Sequence, residues 1–237
     1  MKINFKLKVA PEEYGMPNSN EISKIYEYIL KELNKSNIEI KNQHIKSYPE
    51  IDFPETVDIN IVFVNGSESF NFYFDEDTAL KTYGLFNITN GEGFLGEEYL
   101  AKDFTVLVDA SKDSFDNTYK KYMSDNKLDF IFRYMVTLTH EINHALEFIE
   151  NSGGLTPYQV ENYFDSGIFD YSVSDCCTGT NLPDYYEDFI NVSNEDEIYE
   201  IMEDRVEQKG REMLAKLNIP NDIFLKAIKS NKIKNKL

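Results

Sequence analysis

The sequence predicts an α+β protein, and three observations predict it. Period-two alternation and β-branched or aromatic runs fill the first hundred or so residues, helical three-and-four spacing dominates from about Ser111 onward, and one long amphipathic helix joins the two regions. Residues 1–150 read as an N-terminal mixed sheet with helices that ends in that long helix, and residues 151–237 as a helical C-terminal lobe. A chain of 237 residues can bury one core and still leave a cleft between two such parts, so the expectation is a single unit.

Each element has its own signal. Residues 2–9 alternate, with Ile3, Phe5, Leu7 and Val9 on one face of a strand. Asn18 with Glu21 three residues later makes a capping box for a helix running to about Asn34, with Ile22, Ile25, Tyr26, Ile29, Leu30 and Leu33 on its apolar stripe. Val57 to Val64 is a strand, and Asn65-Gly66 before Phe70 to Phe74 predicts a hairpin. Phe104 to Val108 is apolar enough for a central strand. Leu128 to Glu150 repeats Leu128, Ile131, Met135, Leu138, Ile142, Leu146 and Ile149 at helical spacing, and Gly153-Gly154 stops it. Residues 151–182 read as loop with a short helix after Pro157. Asn194 and Glu197 cap a helix that ends before Pro220; a short helix and a frayed lysine-rich tail follow.

Composition excludes several classes. The formal net charge is −18 and the pI is near 4.5, which argues against a nucleic-acid partner. No apolar run reaches the roughly 20 residues needed to span a bilayer, so no membrane partner is expected. The N-terminal residues lack the apolar core of a signal peptide, and a cytoplasmic setting is the default expectation. The adjacent Cys176 and Cys177 cannot readily pair with each other and read as reduced structural thiols.

Within the long helix stands His140-Glu141-Ile142-Asn143-His144, the spacing H-E-x-x-H. Side chains four apart on a helix stand on one face, so both imidazoles can bind one Zn²⁺ and leave room for a third ligand and a water. Glu141 then lies beside that water, where it can act as general base. Only three histidines occur in the chain, and two are used here; the third, His44, is given no role. The helix's apolar stripe lies nearly opposite the histidines, leaving their face open to a cleft.

With Thr137 three residues ahead and uncharged Ile142 and Asn143 inside, the segment resembles the signature of zincin metallopeptidases. The resemblance implies a zincin-like layout: an active-site helix between a sheet and a helical lobe, one Zn²⁺ per chain, and hydrolysis of a peptide or protein substrate lying along a sheet edge. The long metzincin extension is absent, since Glu147 stands where its glycine would be; Glu150, at the ligand position, is thus a weak ligand candidate. The segment Glu200-Ile201-Met202-Glu203-Asp204 instead resembles the E-x-x-x-D or E-x-x-x-E helix of gluzincins. That implies Glu200 as third metal ligand, with Glu203 as runner-up and Glu197 and Glu207 as further rivals, and Asp204 supporting His140. Glu200 and Asp204 share a face opposite the apolar Ile198, Met202 and Val206, which favours them over their rivals. The oxyanion donor is left open among Tyr158, Tyr163, Tyr171, Tyr185 and Tyr186. The zinc endopeptidase reading stands against two others. One is a metal-binding structural or interaction protein, of a kind a phage could encode; the other is a DNA–protein-crosslink protease, which the acidic surface disfavours.

Overall fold

The computed structural model describes residues 1–8, 20–64, 84–90, 99–109, 128–180, 192 and 194–217. Its elements are β1 (Lys2–Lys8), α1 (Asn20–Lys35), β2 (Thr56–Val64), β3 (Gly84–Asn90), β4 (Tyr99–Asp109), α2 (Leu128–Ser152), α3 (Pro157–Asp165), α4 (Val173–Thr178) and α5 (Glu195–Lys216). The four strands form one mixed sheet in the order β1-β2-β4-β3, with β1, β2 and β4 parallel and β3 antiparallel at the edge. The α+β class expected from the sequence is what the structure has.

Alternation sorts the two faces of the sheet. Ile3 and Phe5 pair in register with Val57 and Ile59, and Ile59 and Ile61 with Phe104 and Val106. These residues are buried in one core with Leu30 and Leu33 of α1 and Leu138, Ile142, Phe148 and Ile149 of α2. Across the opposite face runs a polar ladder: Asp58 accepts from Asn4 Nδ2 at 3.1 Å, and Asp103 accepts from Thr105 Oγ1 at 2.8 Å and from Asn60 Nδ2 at 3.2 Å. Phe148 fastens α2 to the sheet, its ring centroid 5.8 Å from that of Phe86 and 6.2 Å from that of Phe104. Tilted and edge-to-face ring contacts of this kind add to the stabilisation from the area the rings bury.

Several expectations need correcting in detail. Both sides of β2 are taken, by β1 and by β4. The Asn65-Gly66 turn and Phe70–Phe74 lie outside the described residues, as do Asn18 of the first capping box, the expected C-terminal helix and the lysine-rich tail. β3 was not foreseen; its run Gly-Leu-Phe-Asn-Ile-Thr-Asn lacks a clean period. β4 begins at Tyr99 rather than Phe104 because its first residues pair with the end of β3 past an irregularity at Asn87/Thr89, not because they are apolar. α4 was missed although Ser172 and Asp175 form a capping box. α5 has the expected N-cap at Asn194, but its side chain accepts from Asp196 N at 3.1 Å, so Asn194 caps the helix through the residue two on.

α2 ends at Gly153 and Gly154, both at positive φ (68° and 90°), with Gly154 N donating to Ile149 O at 2.8 Å. A Cβ on Gly154 would meet Met1 Sδ at 2.5 Å, so this stop also lets the N-terminus dock. His44 sits beside it in a turn, buried among the rings of Tyr48, Phe53, Phe169 and Tyr171. Its Nε2–H donates to Asn151 O at 2.7 Å, and Asn151 Nδ2 donates to Cys176 O at 2.7 Å. His44 therefore ties residues 38–55 to the last turn of α2 and, through Asn151, to α4. Cys176 is buried and neither cysteine is in a disulfide; burial pushes the Cys177 thiol up to about 12. Among the described residues no helix is long and apolar enough to cross a membrane.

Burial lowers the His44 pKa more than its bond to Asn151 raises it, so the folded protein holds this imidazole neutral below the pH at which the unfolded chain protonates it. The stability His44 contributes is therefore complete above its unfolded value of about 6.5 and declines as pH falls toward the folded value. Replacing it with leucine leaves Asn151 O without its donor and is expected to destabilise the protein by about 1–3 kcal/mol at pH 8, by urea unfolding. The gap between wild type and variant should narrow as the pH is lowered from 7 to 5. A gap that widens instead would show that His44 is charged in the fold.

Candidate metal centre

α2 is buried on most sides, and His140 and His144 lie on its least buried face. Their side chains retain 19% and 16% exposure, enough to be reached from a cleft yet held by packing. The two rings meet at 78° with centroids 4.7 Å apart, and their Nε2 atoms converge to 3.0 Å. The third member comes from α5: Glu203 Oε2 is 3.2 Å from His140 Nε2, and Glu203 Oε1 is 3.3 Å from His144 Nε2. Ligand atoms about 2.0 Å from a tetrahedral zinc are separated from one another by about 3.3 Å. The two nitrogens and the carboxylate thus have the identity and spacing that such an ion requires. Among the described residues, His140, His144 and Glu203 form the one group of potential metal ligands found within mutual reach.

The structure therefore brings the expected histidines together but not the favoured glutamate. Glu200 and Asp204 are both exposed and outside the cluster. The runner-up Glu203 is the glutamate that joins the two histidines, and Glu207, four residues on, faces His140 Nδ1 at 3.8 Å, the place the sequence expectation gives to Asp204. The pattern is the E-x-x-x-E form of the helix, displaced by three residues. Glu197 is exposed and Glu150 half-buried, both outside the group.

The cause lies in how α5 reaches α2. A Cβ on Gly210 would lie 3.1 Å from His140 N and 3.3 Å from His140 Cα, so the helices approach backbone to backbone at the first histidine. At about 100° per residue, Glu203 is within about 20° of Gly210 around α5, whereas Glu200 is about 80° and Asp204 about 120° away. The packing contact and the carboxylate that meets the histidines share a side of α5. The sequence expectation places the two on opposite sides of the helix, whereas the carboxylate that meets the histidines is that of Glu203, on the packed side.

A buried ion cluster sets the register of the two helices. Glu147, one turn beyond His144, is only 3% exposed. Its Oε1 and Oε2 accept from Arg205 Nε at 2.9 Å and Arg205 Nη2 at 3.0 Å, and Lys209 Nζ donates to Oε1 at 2.8 Å. Arg205 Nη2 also donates to Thr178 O at 3.2 Å, joining α4 to the pair. A forked guanidinium on a carboxylate fixes orientation as well as distance. Glu147 is thus the anchor for the helix that carries Glu203.

The electrostatics follow from this packing. Burial works to raise the Glu203 carboxyl pKa, but the hydrogen bonds from His140 and His144 win and hold it well below the usual carboxylate range. Burial works to lower that of His140, and the carboxylates of Glu203, Glu141 and Glu207 keep it above its ordinary value. Glu141 is buried, and desolvation raises its carboxyl despite the pull of His144, His140 and the Phe86 N–H. Its affinity for a proton is accordingly greater than that of an exposed glutamate.

Of the tyrosines considered, Tyr158 is exposed beneath Lys102 Nζ at 5.2 Å, Tyr163 packs against the core, and Tyr171 belongs to the His44 cage. Tyr185 and Tyr186 lie outside the described residues. Sequence reasoning missed Tyr199, one turn before Glu203, whose hydroxyl hydrogen-bonds the Glu203 carboxylate; partial burial and that carboxylate push its phenol up to about 12. The i, i+4 spacing from Glu203 was the available signal. No protein-family model, curated protein or solved structure matches the chain.

Two outcomes test this geometry. In equilibrium dialysis, Glu203→Ala should weaken zinc binding by about a hundredfold, while Glu200→Ala should match wild type. Replacing Arg205 with methionine leaves the buried Glu147 with reduced compensation. It should cost about 3 kcal/mol in urea unfolding and lower zinc affinity as well, because α5 loses its register.

Proposed function

We propose that this chain is a zinc-dependent endopeptidase of gluzincin type, acting in the cytoplasm on peptide or protein substrates. The observation that carries the reading is the convergence of His140, His144 and Glu203 beside the buried carboxylate of Glu141. An isolated H-E-x-x-H helix has no reason to meet a glutamate from a helix about sixty residues further on. The two imidazoles and Glu203 would hold the ion, with Glu207 near His140 Nδ1 favouring the tautomer that leaves Nε2 free to ligate.

When bound, zinc would supply Lewis acidity toward a peptide carbonyl and lower the pKa of a coordinated water. Glu141 takes the proton of the attacking water on its carboxylate and passes it to the departing amine nitrogen. Its raised proton affinity, caused by burial, suits it to accept a proton and pass it on. Tyr199 keeps its proton and donates a hydrogen bond to the Glu203 carboxylate at the rim of the site. The substrate would lie extended along β3, the edge strand over α2, through strand addition.

Purified protein with stoichiometric zinc is expected to cleave reduced, alkylated casein, read by mass spectrometry of the products. Glu141→Gln should keep its zinc and lose about a thousandfold in turnover. Zinc-loaded wild type that cleaves nothing, or a Glu141→Gln variant that cleaves equally well, would refute the peptidase reading and leave a metal-binding structural role.

A further inference from the structure

β3 is an edge strand, yet its first half lies directly on Glu141. A Cβ on Gly84 would sit 2.6 Å from Glu141 Cγ, 2.9 Å from Glu141 Oε1 and 2.8 Å from Thr137 Cγ2. Real Cβ atoms essentially never come that close, so the Glu141 side chain occupies space that any residue other than glycine would fill. Two residues on, the Phe86 side chain lies on the same face as this opening, and the Phe86 amide is near enough to the Glu141 carboxylate to favour its charged form. Among the described strands β3 pairs only with β4, so alternate amides along its outer side are not used by that pairing. Phe86 is itself buried and pairs in register with Val106 of central strand β4, so the donor stands on a rigid support.

We propose that β3 is the positioning element of Glu141, with Gly84 providing the space for its side chain and the Phe86 amide fixing the direction of its carboxylate. The inference rests on the peptidase reading and deepens it. The proton acceptor is oriented by the strand edge along which the peptide is proposed to lie, and the Phe86 N–H is withheld from that peptide. Strand addition must then use the donors and acceptors on either side of Phe86. Neither Gly84 nor Phe86 is a metal ligand, so the arrangement makes a prediction that metal binding does not.

Two measurements test it, one of them independent of turnover. In hydrogen exchange followed by NMR, the Phe86 amide should be protected in wild type. It should exchange about tenfold faster in Glu141→Ala, with the Leu85 and Asn87 amides unchanged. Gly84→Ala should expose the Phe86 amide in the same way, bind zinc as wild type does, and lower kcat on casein about a hundredfold with little change in KM. If wild type is inactive, the peptidase reading fails while the exchange pattern still judges the contact. Rapid exchange of Phe86 in wild type, or unaltered protection in Glu141→Ala, would overturn the proposal; so would an active Gly84→Ala enzyme with wild-type kcat. Glu141→Ala does not crowd the fold, so misfolding of Gly84→Ala would still leave a decisive result.

Discussion

The crossing of α2 and α5 is the constraint on which the rest of the site depends. It is held by a single buried carboxylate, Glu147, in the grip of Arg205 and Lys209, and by Gly210, which lets the helices touch at His140. A buried ion pair is a poor source of net stability, since desolvation offsets much of its attraction. Its value is in specifying one arrangement. An apolar contact between these helices would tolerate small slides, and a slide of one turn, about 5.4 Å, would remove Glu203 from the histidines altogether. The forked contact of Arg205 does not tolerate it.

The second constraint comes from the opposite side of α2. Phe148 binds it to the sheet against Phe86 and Phe104, and Gly84 brings the edge of β3 onto Glu141. The H-E-x-x-H turn is therefore clamped between a strand edge and a helix, each setting one part of the chemistry. The helix supplies a carboxylate whose proton affinity is reduced by two imidazole neighbours; the strand holds a carboxylate whose proton affinity is increased by burial. Two glutamates with opposite tendencies, one suited to bind a cation and one to accept a proton, is the division of roles that metal-assisted hydrolysis needs.

Much of this was legible in the chain and some was not, for physical reasons. The strands at residues 2–8 and 56–64 and the motif helix were legible because burial imposes period on sequence, and His140, Glu141 and His144 because their spacing is local. The carboxylate that completes the cluster, Glu203, was not. Glu197, Glu200, Glu203 and Glu207 are chemically alike, and what separates them is where a second helix makes contact. Gly210 carried that information, seven residues after Glu203 on the same face, but a glycine in a helix also has blander explanations. β3 escaped because an edge strand is specified by its partner more than by its own alternation, and Tyr199 because a tyrosine one turn from Glu203 looks no different in sequence from a packing tyrosine.

The central claim is that α2 and α5 together build one metal centre from two imidazoles and Glu203. The most direct test is diffraction from crystals grown with zinc, with data collected on either side of the zinc absorption edge. The account predicts a single anomalous peak about 2.0 Å from His140 Nε2, His144 Nε2 and a Glu203 oxygen, with Glu200 in solvent. A peak at the cysteines or at Glu200, or crystals of folded protein with no zinc between the histidines, would contradict it.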